Sequence, residues 1–140
     1  SRGGEIEIKE SSENRELMDA TVFDLLKAYQ SILDTKTFEK DYEVEITEMS
    51  VTDRIQHVLD ILNSSDSVTF DSFFTVLNSK QEVIVTFLAI LELMRLKLLR
   101  IQQGQHFETI RIYKAADQKT QDAVLQEYQR TIDTEPTESS

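Results

Sequence analysis

The 140-residue chain is 39% hydrophobic and 29% charged, and its formal net charge is −11. The absence of cysteine excludes disulfides, thiol catalysis and cysteine-ligated zinc or iron–sulfur sites. The chain has no run of about 18 apolar residues, so the sequence predicts no membrane span, and no basic segment leads into an apolar one as in a signal peptide. Because the chain begins with Ser1 rather than Met, we expect a fragment or a processed product.

The charge is unevenly distributed along the chain. Residues 1–50 have six basic and 13 acidic side chains, residues 51–114 have seven of each, and residues 115–140 have two basic and six acidic ones. Acidic segments repel phosphate and favour solvation. A neutral centre between acidic flanks therefore disfavours nucleic acid as a partner of the whole chain.

The first 49 residues are predicted to form a linker and a partner-binding arm. Residues 1–16 are polar and without sustained periodicity, and we expect a flexible acidic linker there. Residues 17–49 form the arm, which has an amphipathic helix at 19–34. We expect the apolar stripe of this helix to be exposed in the free chain and covered by a partner. The stripe and its flank consist of Val22, Phe23, Leu25, Leu26, Tyr29, Ile32 and Leu33.

An extended segment is predicted at 38–49, after this helix. Tyr42, Val44 and Ile46 alternate there with polar residues, which is the period of a strand with one apolar side. A single strand is not stable by itself, so it must pack on this chain's core or on another protein. These three side chains are therefore candidates for contact with a partner.

Residues 50–114 are predicted to form a compact domain that starts with two helices. Ser50–Asp53 has the pattern of a capping box, and apolar residues at helical spacing follow it. A short β-prone segment comes next at 67–69. A second, short helix is predicted over 70–77, with three phenylalanines on it.

A long helix and a hairpin complete this domain. Ser79–Glu82 is a second capping box, and the helix that follows is apolar nearly all round, which predicts the most buried helix. Two alternating segments then flank a turn at 103–106 and predict a β-hairpin over 98–113. Three helices and a small sheet in this order form the winged-helix layout. The predicted fold class is therefore α+β, mostly helical, with the winged helix preceded by an arm.

The last segment, residues 115–140, is predicted to be an acidic tail that is partly helical. Val124, Tyr128 and Ile132 are spaced four residues apart, which is typical of one face of a helix. The residues after Asp133 are polar, and we expect them to be disordered.

The sequence contains no arrangement of residues that is typical of catalysis. The two histidines, His57 and His106, are far apart, whereas metal sites need several converging ligands. The three glycines, Gly3, Gly4 and Gly104, cannot make a phosphate-binding loop. We therefore expect no enzyme activity, no cofactor, no metal and no small-molecule substrate.

A winged helix can also bind DNA, so a winged-helix transcriptional regulator is the alternative function. In such regulators the N-terminal residues of the third helix contact base edges in the major groove. Those residues are here Lys80, Gln81 and Glu82, which are a poor set for phosphate. The basic residues at 95–100 fit either the dipole at the end of this helix or contact with a partner.

Four segments of the chain resemble the segregation and condensation protein A family, the bacterial kleisins. They are Val68–Phe70, Val83–Met94, Phe107–Ile112 and, upstream, Thr21–Gln30. The sequence VTFLAILEL within the second segment is the most specific part. The resemblance covers residues 18 to 114 and leaves out the family's N-terminal helical domain, so it implies a middle and C-terminal portion. The acidic tail departs from the short ending expected for the family.

The resemblance implies a non-enzymatic subunit of a bacterial SMC complex for chromosome condensation and segregation. The winged helix would dock on the SMC ATPase head through the hairpin, and the candidate contacts are Arg100, Arg111 and Tyr113. The arm would bind a dimer of segregation and condensation protein B (ScpB) through the helix residues Val22, Phe23, Leu25, Leu26, Tyr29, Ile32 and Leu33 and through Tyr42, Val44 and Ile46. We expect a cytoplasmic, nucleoid-associated protein that makes no sequence-specific contact with nucleic acid and none with a membrane.

Overall fold

The computed structural model describes residues 22–38, 47–103 and 109–134. The elements in chain order are α1 (Val22–Thr35), α2 (Glu48–Asn63), β1 (Val68–Thr69), a 3-10 helix (Phe70–Phe73), α3 (Lys80–Arg95), β2 (Leu99–Gln103), β3 (Ile110–Lys114) and α4 (Gln118–Thr134). This mostly helical arrangement with one small antiparallel sheet confirms the predicted α+β class. Within the described ranges, no helix has the length and apolar character needed to cross a membrane.

Some sequence-based expectations concern residues outside the described ranges. These are the linker at 1–16, the extended-segment candidates Tyr42, Val44 and Ile46, the centre of the hairpin turn, and the polar end of the chain after Thr134. The predicted amphipathic helix is found as α1 and ends one residue later than expected, whereas its predicted start at 19 lies outside the described residues.

The core is built around α3, as the sequence predicts. Its buried residues are Val83, Val85, Thr86, Phe87, Ala89, Ile90 and Leu93. From α2, the residues Ile55, Val58, Leu59 and Leu62 are buried against the same core. The ring of Phe70 meets those of Phe74 and Phe87 edge to face, with centroids 4.9 and 6.2 Å apart. The short helix predicted over 70–77 is only a 3-10 turn of four residues, because its backbone bonds join residues three apart, as from Phe74 N–H to the Asp71 carbonyl.

Only one of the two predicted capping boxes starts its helix as expected. The Ser79 hydroxyl accepts a hydrogen bond from Glu82 N–H and donates one to the Glu82 carboxylate, both at 3.1 Å. The start predicted at Ser50 is wrong, because α2 begins at Glu48 and is capped by Thr47. The extended segment predicted at 38–49 is wrong at its end for the same reason, since residues 48 and 49 belong to α2. The Thr47 side-chain oxygen accepts a hydrogen bond from Ser50 N–H at 3.2 Å.

The three strands form one sheet in the order β1–β3–β2, with both pairs antiparallel. Ile112 of β3 is opposite Ile101 of β2 on one side and Val68 of β1 on the other. These side chains share the face that packs on the helices, where Ile101 and Ile112 are buried. Since side chains alternate along a strand, the residues between them point to solvent.

The predicted helical tail is α4, and its first turn is fixed to α2. The Gln121 side chain, 2% exposed, exchanges two hydrogen bonds of 2.9 Å with the Asn63 side chain and donates a third to the Ala116 carbonyl. The Asp117 carboxylate accepts a hydrogen bond from Thr120 N–H at 2.9 Å. This bond holds the pKa of Asp117 below its ordinary value.

Candidate partner-binding surfaces

Helix α1 packs against α3, and this contact divides its apolar stripe. Leu25 is fully buried, and the ring of Tyr29 stacks on that of Phe87 with centroids 4.0 Å apart. Burial raises the pKa of the Tyr29 hydroxyl. Ile32 and Leu33 are half-buried against the same core. The expectation that the whole stripe is exposed in the free chain is therefore wrong for these α1 residues, because the domain itself covers them.

The end of α1 is attached to the domain by a second contact. The Lys36 ammonium group donates a hydrogen bond to the Thr75 carbonyl at 3.3 Å, in the turn that follows the 3-10 helix. The side chain of Phe38 also packs on the core. Helix α1 is thus held at both ends, so its outward side chains have defined positions on the domain.

Three apolar side chains of α1 remain in solvent, and we refer to them as the α1 ridge. They are Val22 (53% exposed), Phe23 (62%) and Leu26 (41%). Leu26 lies four and three positions after the other two, so all three are neighbours on the helix surface. The Lys27 ammonium nitrogen lies 4.9 Å from the centroid of the Phe23 ring. A contiguous apolar patch on a fixed helix is typical of a surface that a protein partner covers.

The hairpin brings the three predicted head contacts onto one surface. Arg100 is opposite Tyr113 and Gln102 is opposite Arg111, and Thr69 of β1 lies on the other side of Arg111. These five residues alternate with the buried ones, so they share the solvent side of the sheet, which we name the outer sheet face. The Arg100 guanidinium carbon is 5.7 Å from the centroid of the Tyr113 ring, a distance typical of a cation–π contact.

The start of α3, which a DNA-binding winged helix would place in the major groove, offers little to DNA here. Lys80 is exposed, but Gln81 and Glu82 are half-buried and the side chains that follow are mostly core. The Glu82 carboxylate also lies 4.0 Å from the Arg54 guanidinium group. One lysine beside a carboxylate neutralises little phosphate charge, which disfavours reading of DNA by this helix.

A groove that the sequence did not predict lies between α3, α4 and the start of α2, with a volume of about 890 Å³. Its apolar lining consists of Val51, Leu88, Leu91, Leu96, Val124, Tyr128 and Ile132. The helical spacing of the last three residues was visible in the sequence, but which helix they would face was not. Nowhere in the described ranges do three or more His, Cys, Asp or Glu side chains come together to hold a metal ion.

Comparison with known proteins gives one consistent result. Residues 6–115 match the family described as "Segregation and condensation protein ScpA". The chain is 36% identical over 94 residues to segregation and condensation protein A of Listeria welshimeri, covering 64% of this chain and 37% of that protein. It is 35% identical over 107 residues to the protein of the same name from Bacillus licheniformis, covering 74% and 42%.

The matched region contains both candidate surfaces, whereas α4 begins after it ends. The chain spans about two fifths of the length of these curated relatives. The match extends over most of the chain and includes α1, the core helices and the sheet. The chain therefore belongs to the segregation and condensation protein A (ScpA) family, a family of non-enzymatic kleisins with a role in chromosome segregation.

Proposed function

We propose that this chain forms the central and C-terminal portion of the kleisin subunit in a bacterial SMC complex, in the cytoplasm and associated with the nucleoid. It bridges the SMC ATPase head and the ScpB dimer during chromosome condensation and segregation. The observation that carries this proposal is the presence of two exposed surfaces of different chemistry on one folded unit: the apolar α1 ridge and the cationic outer sheet face. Two different surfaces are what a bridging subunit needs.

The α1 ridge is the proposed ScpB contact. Val22, Phe23 and Leu26 are exposed, while Leu25 and Tyr29 fix the helix to α3 and act through its position. Burying a leucine or phenylalanine side chain contributes about 1.5–3 kcal/mol, so a partner gains most from these three residues. We propose that Tyr42, Val44 and Ile46, which lie outside the described residues, extend the same contact.

The outer sheet face is the proposed SMC head contact. Arg100, Arg111 and Tyr113 lie on adjacent strands of this face, and both arginines are exposed. Arginine and tyrosine are enriched at protein interfaces because each combines a flat apolar surface with hydrogen-bonding groups.

The test is a calorimetric titration of the 140-residue chain with ScpB and, separately, with the isolated SMC ATPase head from the same organism. We expect each to bind the wild-type chain. Leu26→Asp should weaken ScpB binding by about 10- to 100-fold, because it replaces a buried apolar contact with a charge, and should leave head binding unchanged.

The matched control is Leu88→Asp, since Leu88 is the same residue type with a similar exposure (38%) but lies on α3, outside the α1 ridge. This variant should bind both partners like the wild type. If Leu88→Asp weakens ScpB binding as much as Leu26→Asp does, the α1 ridge is not the ScpB site. If the wild-type chain binds neither partner, the proposed function is wrong.

A further inference from the structure

The two strands of the hairpin have an unusual charge for this chain. Strands β2 and β3 contain Arg100, Arg111 and Lys114 and no acidic residue, although the whole chain has a net charge of −11. Arg100 and Arg111 lie on the outer sheet face, whereas Lys114 is opposite Leu99 and belongs to the other face. The outer sheet face is thus a local positive surface on an acidic protein.

The two arginines of this face are positioned by neutral groups. The Arg111 Nε–H donates a hydrogen bond to the Ser67 hydroxyl at 3.2 Å, and Arg100 lies over the Tyr113 ring. Both contacts hold the guanidinium groups in place, and neither contact supplies a negative charge.

Other arginines of the described ranges differ in this respect. Arg54, Arg95 and Arg130 each form an ion pair with a glutamate, respectively Glu82, Glu92 and Glu127. Neither Arg100 nor Arg111 has a carboxylate within ion-pairing distance in the described part of the chain. Among the described residues, three arginines are therefore paired within the chain, whereas the two arginines of the outer sheet face have no carboxylate partner there.

We propose that the outer sheet face binds an acidic protein surface, whose carboxylates pair with Arg100 and Arg111. This inference rests on the proposed function, in which the partner at this face is the SMC ATPase head, and adds the chemistry of the patch that is recognised. The planar guanidinium group binds carboxylates through two parallel hydrogen bonds. Because Tyr113 and Ser67 already orient the two side chains, less side-chain entropy is lost on binding.

A protein partner fits this face better than nucleic acid does. Affinity for DNA grows with the number of phosphates neutralised, and two arginines supply only two such contacts. The acidic segments 1–50 and 115–140 would repel a long polyanion, while a local acidic patch on a protein meets only the sheet. Gln102 on one side of Arg111 and Thr69 on the other add hydrogen-bonding groups but no further cation.

The experiment titrates the 140-residue chain with the isolated SMC ATPase head at NaCl concentrations of about 0.05 M and about 0.5 M. Wild-type binding should weaken at the higher concentration. The double variant Arg100→Glu/Arg111→Glu should bind the head about tenfold or more weakly at low salt and should lose most of the salt dependence. The affinity of Arg100→Lys/Arg111→Lys for the head should lie between those of the wild type and the glutamate variant, because lysine keeps the charges but loses the bidentate geometry.

The control is Arg130→Glu, which reverses the charge of one exposed arginine on α4, away from the outer sheet face, and should bind the head like the wild type. Circular dichroism and ScpB binding verify that the double variant is folded. If the folded double variant binds the head like the wild type, this inference is wrong and the proposed function stands. If the head does not bind even the wild-type chain, the proposed function itself is wrong. A short DNA duplex is titrated in parallel. If the wild-type chain binds DNA tightly and the double variant loses DNA binding but keeps head binding, the outer sheet face binds phosphate groups and the inference is wrong.

Discussion

Lys97 has a backbone φ of 62°, in the left-handed region that favours glycine. It follows the end of α3, where Leu98 N–H bonds to the Leu93 carbonyl at 2.9 Å and Lys97 N–H bonds to the Met94 carbonyl at 3.0 Å. These two bonds form a Schellman motif, and the apolar contact that accompanies it is made by Leu93 and Leu98, which are both buried. The turn directs the chain from α3 into β2 and so sets the position of the outer sheet face.

Lys97→Gly should raise the free energy of unfolding by about 0.5–1 kcal/mol, because a β-carbon is unfavourable at this φ. The exposed lysine side chain contributes little packing in return. Urea denaturation followed by circular dichroism measures the change. Lys97→Ala removes the same charge but keeps the β-carbon, and we expect no gain from it. An equal gain in both variants would mean that charge, rather than backbone conformation, decides the effect.

The paired amides of Asn63 and Gln121 join α4 to α2 through two hydrogen bonds. Gln121→Leu should lower the free energy of unfolding by about 1–3 kcal/mol, because it leaves the Asn63 amide without its partner. Gln126→Leu, on the exposed side of the same helix, should have little effect. The double variant Asn63→Leu/Gln121→Leu should lose less free energy of unfolding than the two single variants lose in sum, since neither amide is then left without its partner. If Gln121→Leu is as stable as the wild type, these bonds do not hold α4.

At the scale of the elements, the helical pattern of α1 predicted the end of the helix to within one residue, but it did not predict the surface that covers the helix. A stripe at i, i+3 and i+4 shows which side chains avoid water, and it gives no information on whether they pack on the same chain or on another. Leu25 and Leu26 are adjacent and chemically identical, yet α3 buries the first and leaves the second on the α1 ridge. Only the packing of α1 on α3 gives the two leucines different environments.

This difference makes the two leucines a test of the packing of α1. Leu25→Ala should lower the free energy of unfolding by about 2–5 kcal/mol, because it leaves a cavity in the core. Leu26→Ala should change it by about 0.5 kcal/mol or less and instead weaken binding of ScpB. Denaturant unfolding of both variants gives the comparison. Two small and equal changes would show that α1 does not pack on the domain, and the original expectation of a free arm would then be right.

The two capping motifs show where local sequence patterns are sufficient. Ser79 starts α3 as predicted, since both its hydroxyl bonds are made to a residue three positions away. At α2, the residues Thr47 and Ser50 both suit an N-cap and are one helical turn apart. The extended backbone of Thr47 (φ −117°, ψ 167°) makes it the cap, and the helix gains a further turn. A four-residue pattern cannot predict which of two capping residues, one helical turn apart, begins the helix.

For the whole molecule, the winged-helix order could be predicted because each element has its own local signal: a cap, a period or a turn. The docking of α4 could not, because Asn63 and Gln121 are polar residues 58 positions apart with no local signature of their contact. Nor does the sequence show that, among the described residues, Arg100 and Arg111 have no carboxylate partner whereas other arginines do. Both facts depend on tertiary contacts, and α4 also lies beyond the residues that match the family.

As a bridging subunit, the chain must bind two partners at once through two separate surfaces. The most direct test is light scattering on a gel-filtered mixture of the 140-residue chain, ScpB and the SMC ATPase head. We predict one species whose mass accounts for all three proteins. Leu26→Asp should remove ScpB from it, and Arg100→Glu/Arg111→Glu should remove the head. If the mixture instead gives only binary complexes, with the head and ScpB displacing each other from the chain, the claim of a bridging subunit is contradicted.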